Sequence, residues 1–156
     1  MAFRSGGALL ALAVMSAGAL TAQVADLSGT WVLNPEKSRW GGGAKPVNIM
    51  VTIEHREPFL SYSGTLVYAE GEDTRSFKFS GNIGAEHPAR RSFGEGKLLI
   101  KRVDSRTLAS EFKSNDGMWT ETIRTTVSRD GRVMRRNIRR EGPTGRLQWT
   151  EVYEKR

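Results

Sequence analysis

Residues 118–140 read MWTETIRTTVSRDGRVMRRNIRR, two alternating segments joined at an Asp-Gly pair. Asp-Gly accommodates the positive φ that a type I′ two-residue turn requires, so Asp130-Gly131, flanked by Arg129 and Arg132, predicts a β-hairpin. In that register Val127 faces Met134, Thr125 faces Arg136, Ile123 faces Ile138 and Glu121 faces Arg140. Asp116-Gly117 does the same for the preceding pair of segments, setting Ser110 against Ile123 and Phe112 against Glu121. A slip of one residue would turn every side chain to the opposite face, so the agreement of the two hairpins on which face is apolar supports both registers.

Working outward, apolar residues recur at period two and helical spacing is almost absent. Val47, Ile49, Val51 and Ile53 share one face; Leu60, Tyr62, Leu66 and Tyr68 repeat the pattern after a turn at Arg56 to Pro58, and Phe77 with Phe79 follow. Further strands are expected at 27–33, 97–103, 107–113, 118–128, 132–140 and 146–155, joined by short turns. An open sheet of this size would leave an apolar face and two edges bare, and closure removes both problems. The expectation is an all-β, antiparallel up-and-down β-barrel of eight or nine strands. Two packed sheets would use the same alternation, but the neighbours here are consecutive and lack long crossing connections. Two stretches break the pattern: 34–45, with Trp40-Gly41-Gly42-Gly43, reads as a flexible loop, and 81–96 as an exposed mobile loop at one mouth.

Residues 1–22 carry Arg4, an apolar run from Ala8 through Val14 to Met15, Ala19 and Leu20, and small residues before a cut after Ala22, with a cut after Ala19 as the alternative. This is the pattern of a secretory signal peptide, and it predicts a secreted or periplasmic protein with one domain over 23–156. With no cysteine there is no lipid-anchor site, disulfide or thiolate metal site, so the domain must be held by its core. Of 24 Lys and Arg, removal of Arg4 leaves 23 against 17 Asp and Glu, a formal +6 that favours anionic partners or surfaces.

Leu27-Ser28-Gly29-Thr30-Trp31-Val32-Leu33 and the close on Thr150 to Lys155 resemble the calycin group, lipocalins and intracellular fatty-acid-binding proteins. Residues 27–38, LSGTWVLNPEKS, look more closely like the opening of small secreted bacterial lipocalin-like proteins to which no function is assigned, and the likeness continues weakly through 101–107 and 127–131. The resemblance implies that Trp31 caps the closed barrel end behind Gly29, with Lys155 or Arg156 over its ring. It also implies inward residues at 151 and 153, where fatty-acid-binding relatives often carry Arg-x-Tyr. Here they are Glu151 and Tyr153, so the guanidinium of that anion clamp is replaced by a carboxylate.

With Glu151 and Tyr153 inward beside Leu147 and Trp149, the turn over 141–145 permits a register that puts Arg136 opposite Glu151. The expected lumen has an apolar side from Val51, Tyr62, Leu66, Phe77 and Phe79, and a polar side from Glu121, Arg136, Arg140, Glu151 and Tyr153. Lys101 is expected to join the polar side through the turn at Ser105-Arg106. Two readings stay open: satisfied internal ion pairs with trapped water, because unpaired buried charge is costly, or a cavity for an amphipathic molecule. By the same parity Arg124, Arg132, Arg135 and Arg139 form an outward basic stripe, either a solvated face or a dock for an anionic envelope surface. Few aromatics interleave there, and nucleic acid is not an expected partner.

His55 reads as a turn residue at a strand end; His87, on its loop, is a remote candidate for a haem ligand, and the spacing of the two offers no zinc site. Glu121 and Glu151 as an acid and base are weakened by their adjacent arginines, which favour charged carboxylates. No catalytic residue, metal or cofactor is expected. The predicted function is non-covalent binding of a small hydrophobic or amphipathic molecule. The alternative is a non-enzymatic, envelope-associated module with a packed barrel and a basic docking face.

Overall fold

The structure is a computed structural model that describes residues 23–42, 45–69 and 74–156. The expected signal segment, residues 1–22, lies outside the described residues. Alternation becomes ten antiparallel strands: β1 (Gly29–Leu33), β2 (Asn48–Arg56), β3 (Phe59–Val67), β4 (Thr74–Asn82), β5 (Glu86–Arg91), β6 (Gly94–Asp104), β7 (Thr107–Ser114), β8 (Thr120–Val127), β9 (Val133–Gly142) and β10 (Gly145–Lys155). They form a sheet ordered β4-β3-β2-β1-β10-β9-β8-β7-β6-β5. First therefore meets last, with Trp31 opposite Lys155 and Leu33 opposite Tyr153, and the sheet curls into a nearly closed barrel. Among the described residues the expected barrel is present, with ten strands in place of eight or nine.

In β2 the residues Ile49, Val51, Ile53 and His55 are buried between exposed neighbours, the signature of a strand with one dry face. Each such aliphatic side chain contributes about 1.5–3 kcal/mol on burial. The expected pairings of β7, β8 and β9 all hold, Ser110 with Ile123, Glu121 with Arg140 and Thr125 with Arg136 among them. The turns that set them are not type I′, because only Gly117 (φ 71°) and Gly131 (φ 70°) take positive φ and the preceding Asp does not. Both turns instead use a Ser-x-Asp-Gly motif. Ser114 Oγ accepts from Trp119 N–H and Ser128 Oγ from Val133 N–H, each at 2.9 Å, while Asp116 and Asp130 accept from Met118 and Arg132 N–H. These longer loops are still centred on Asp-Gly, so the register is unchanged.

Residues 81–96, expected as a mobile loop, hold the end of β4, all of β5 and the start of β6. β4 and β5 are the two edges of the sheet. His87, placed on β5 and not on a loop, stands edge-on to Phe79 with centroids 5.8 Å apart, and its Nε2 is 2.9 Å from Asn82 N. Residues 34–40 are likewise not a free loop. Asn34 N–H donates to Val152 O (2.7 Å), Val152 N–H donates to Ser38 Oγ (3.0 Å), and Arg39 bridges Thr150, so this segment extends β1 along β10 and buries Val152. Val47 falls just before β2 and is exposed, and Tyr68 lies past the end of β3.

The closed end carries Trp31, with no exposed surface, whose Nε1 donates to Leu27 O at 2.8 Å. Lys155 Nζ lies 5.4 Å from the centre of the Trp31 ring. Gly29 makes room for it: its φ is +124°, and a Cβ there would stand 2.7 Å from Lys155 Cε. His55 is not a turn residue. It is the last inward side chain of β2, 3% exposed, under the incoming chain. Leu27 N–H donates to its Nδ1 (3.3 Å), which assigns the remaining proton to Nε2, 3.2 Å from Glu57 Oε1. Arg102 pairs with the same Glu57 and approaches His55 Nε2 at 3.3 Å. Burial first, and Arg102 second, push the His55 pKa below its ordinary 6.5 against a smaller pull from Asp26.

Candidate functional site

The lumen is built by the strands that pack across it. On β3 and β4 the inward row brings Tyr62 opposite Phe79, rings 5.3 Å apart and stacked, with Phe77 6.2 Å from Tyr62. Gly64 pairs with Phe77 and lets that ring lie flat on the backbone, since a Cβ at Gly64 would stand 2.5 Å from it. Leu66 and Val51 extend this wall, and Tyr62, Leu66 and Phe77 keep partial exposure beside the buried core.

β9 and β10 supply the polar wall. Arg136 is paired with Glu151 in the ladder, and its Nη1 donates to Glu151 Oε2 at 3.0 Å. Tyr153 Oη donates to the same oxygen at 2.8 Å, and Trp149 Nε1 donates to Oε1 at 2.9 Å. Glu151 thus takes three donors and is satisfied as a buried carboxylate must be. Burial opposes the charge on Arg136, but Glu151, with Tyr153 and Tyr62, overrides it and holds the guanidinium pKa above its ordinary value. Burial and the Glu151 carboxylate raise the Tyr153 phenol well above 10.0, so it stays a donor.

A second cluster lies nearer the opposite mouth, at the turns β5–β6, β7–β8 and β9–β10. Arg140 donates through Nε (2.9 Å) and Nη2 (2.6 Å) to Glu121 Oε2, and Arg91 Nε lies 3.3 Å from Glu121 Oε1. The Arg140 guanidinium sits over Phe93 at 4.1 Å and over Trp149 at 5.1 Å, and Arg91 over Phe112 at 5.4 Å. Phe93 also packs on Phe112 and Trp119. Trp149 joins the clusters, its ring under Arg140 and its nitrogen on Glu151.

Every expected lumen residue except Lys101 is on the inner side. Lys101 is exposed on the outer wall because a bulge between Arg102 and Asp104 adds a residue before the turn and flips the parity, bringing Arg102 inward instead. Sequence reasoning missed Arg91, Phe93 and Trp119. Arg91 ends β5 and Phe93 lies in the β5–β6 turn, and the Gly94-Glu95-Gly96 that follows is the signal that would have found it.

Arg136 lies deep in the molecule, yet 27% of its side-chain surface is reachable by water, as is 25% of Arg140. Both lie on the inward row of β9. On the outer wall Arg124, Arg132, Arg135 and Arg139 are exposed as expected. A shallow groove of about 280 Å³ there is lined by Lys101, Arg124 and Arg139 with Glu111, Leu99 and Ala109.

No family model and no curated protein matches this chain. Solved structures do. The Schistosoma mansoni fatty acid binding protein in complex with arachidonic acid is similar over 83% of this chain and 96% of its own, at 12% identity and a TM-score of 0.61. Secretory abundant heat soluble protein 4 from Ramazzottius varieornatus is similar over 86% and 97%, at 10% identity and 0.58. The zebrafish ileal bile acid-binding protein complexed with cholic acid is similar over 83% and 98%, at 13% identity and 0.53. At such identities the likeness is one of fold: the chain forms a nearly closed antiparallel β-barrel similar in fold to these proteins.

Proposed function

We propose that this chain is an exported, secreted or periplasmic binding protein that holds a small hydrophobic or amphipathic molecule inside its barrel. The observation that carries this reading is Arg136: a guanidinium set deep inside, paired with Glu151, that still keeps 27% of its side chain accessible. A barrel filled solid leaves no such surface. Tyr62, Leu66, Phe77 and Phe79 offer an apolar wall, while Glu121, Arg136, Arg140, Glu151 and Tyr153 offer fixed polar contacts across from it. Solved barrels of this shape hold arachidonic acid and cholic acid, which supports an elongated apolar molecule with one polar end.

Native mass spectrometry of the exported protein tests the reading. A small molecule that leaves on mild activation, and whose retention falls in Phe79→Ala, is the expected result; a bare protein that also takes up no added amphipath contradicts it.

A second reading rests on the outer groove, where Lys101, Arg124 and Arg139 outnumber Glu111. It makes the basic wall a dock for an anionic envelope surface. Binding of the whole chain to anionic vesicles that is lost in Arg124→Gln/Arg139→Gln, with the lumen ligand retained, would favour it.

A further inference from the structure

We infer that the segment 25–28 is an acid-released latch: protonation of His55 lets it lift off the closed end, hinged at Ser28-Gly29, while the ten-stranded wall stays folded. The inference is independent of what the lumen holds.

One of the bonds that hold the latch needs a neutral imidazole. Ala25 N–H donates to Ser105 O (2.7 Å), Leu27 O accepts from Trp31 Nε1–H (2.8 Å), and Leu27 N–H donates to His55 Nδ1 (3.3 Å). The Leu27 side chain is buried with Trp31 in the same core cluster. The tie at Ser28 is of a different kind. Its Oγ accepts from His55 N–H (2.9 Å) and donates to His55 O (3.2 Å), both on the backbone of β2, where an added ring proton takes no acceptor away. Gly29 follows at a φ of +124°, a conformation that gives the chain freedom to change direction there. Release therefore stops at Ser28.

A proton on Nδ1 turns the Leu27 contact into two donors facing each other and makes the ring a cation. The groups around the ring decide whether that cation is tolerated with the latch shut. From the latch itself, Asp26 Oδ1 lies 3.8 Å from Nδ1, on a side chain 70% exposed to water. From the β2–β3 turn, Glu57 Oε1 lies 3.2 Å from Nε2. From β6, Arg102 Nη2 lies 3.3 Å from Nε2, brought inward by the bulge before the β6–β7 turn. From β10, Lys155 draws on Asp26. Glu57 is the carboxylate placed to compensate an imidazolium, and Arg102 already pairs with it. The site thus holds a cation where a second would appear.

Burial first, and Arg102 second, hold the His55 pKa below its ordinary 6.5 while the latch covers the ring. With the latch lifted the ring meets water and its pKa moves back toward the ordinary value. The open form then binds the proton more tightly than the closed form, so opening becomes easier as pH falls from 6.5 through the closed-state value.

Hydrogen exchange of the exported protein, followed by NMR, tests the latch at one pH above 6.5 and one between 6.5 and the carboxylate range. The Leu27 amide and the Trp31 indole Nε1–H report the latch, and the Ile123 and Ile138 amides of the β8–β9 ladder report the wall. Corrected for the intrinsic pH dependence of exchange, protection of both latch protons is expected to fall several-fold at the lower pH while the ladder amides keep theirs. In His55→Gln the fall should vanish. In Arg102→Gln it should shrink, because Glu57 is then free to pair with the imidazolium and the closed form binds the proton almost as well as the open one. Equal protection of the latch protons at both pH values in wild type overturns the inference. So does a loss shared by Ile123 and Ile138, which marks global unfolding. A fall that persists in His55→Gln removes His55 as the trigger; should that variant not fold, an undiminished fall in Arg102→Gln does the same.

Discussion

At the closed end Lys155 lies over Trp31, and Arg102 reaches His55 and Glu57; in the lumen Arg140 lies over Phe93 and Trp149, and Arg136 reaches Glu151 and Tyr153. The parts are alike, a cation on an aromatic ring and a cation on a carboxylate. At the closed end Trp31 has no exposed surface and the His55 side chain is 3% exposed. In the lumen Arg136 and Arg140 keep 27% and 25% of their side chains accessible and Arg91 16%, against 22% for Arg102 at the closed end, and the buried Nε of Arg91 and of Arg102 alike has no hydrogen-bond partner among the described residues. The ring under the cation is wholly buried at the closed end, where Trp31 acts as a plug, whereas Phe93 and Trp149 under Arg140 stay partly exposed. What separates the two is the burial of the ring, not the kinds of residue.

The largest effect should come from breaking the plug. Trp31→Ala removes a wholly buried indole and its bond to Leu27, and is expected to cost about 3–5 kcal/mol in urea unfolding. Next is Glu151→Leu, which strands the donors of Arg136, Tyr153 and Trp149. A broken buried pair costs up to about 3–5 kcal/mol, and partial water access to Arg136 lowers the expectation to about 2–3 kcal/mol. Arg136→Leu sharpens the contrast, because Glu151 keeps two neutral donors: stability should fall less than in Glu151→Leu, while the affinity for an added amphipath changes. If both variants lose melting temperature alone and ligand retention stays constant, the deep pair belongs with the plug.

A smaller effect separates the ends by pH. The His55 pKa is held below 6.5 in the folded state, so the stability it contributes is complete above 6.5 and is lost as pH falls through the folded value. Protonating Nδ1 would take the acceptor from Leu27 N–H and set a cation beside Arg102. Thermal melts are expected to decline from pH 6.5 down toward the carboxylate range in wild type and to be flatter there in His55→Gln. A parallel decline in both would show that His55 is not the titrating group. Least of all, Arg135→Gln on the solvated outer wall should change unfolding by no more than about 0.5 kcal/mol.

How much of this was legible varies with the strand. β7 to β10 could be read to the residue, because alternating apolar positions and Asp-Gly turns constrain each other: a wrong register would have exposed Ile123, Ile138 and Phe112 together. β5 could not. Its inward positions are His87, Ala89 and Arg91, which give no apolar alternation, and Pro88 argues against an interior strand; as a sheet edge it tolerates both. That is why half of the upper cluster went unseen while its partners Glu121 and Arg140 were found. Lys101 was misplaced by a single bulge that leaves no mark in local composition. His55 was misread because the covering segment, 25–28, is distant in sequence and adjacent only after the barrel closes.

The most direct test of an open, ligand-holding lumen is an NMR titration of the whole chain with dodecanoate, reading the ring protons of Tyr62 and Phe79 and the side-chain Nε–H signals of Arg91, Arg136 and Arg140. Saturable shifts at these groups, with nuclear Overhauser contacts from the acyl chain to Tyr62 and Phe79, are the predicted result. Shifts confined to the outer wall at Lys101, Arg124 and Arg139, or none at all, would contradict it.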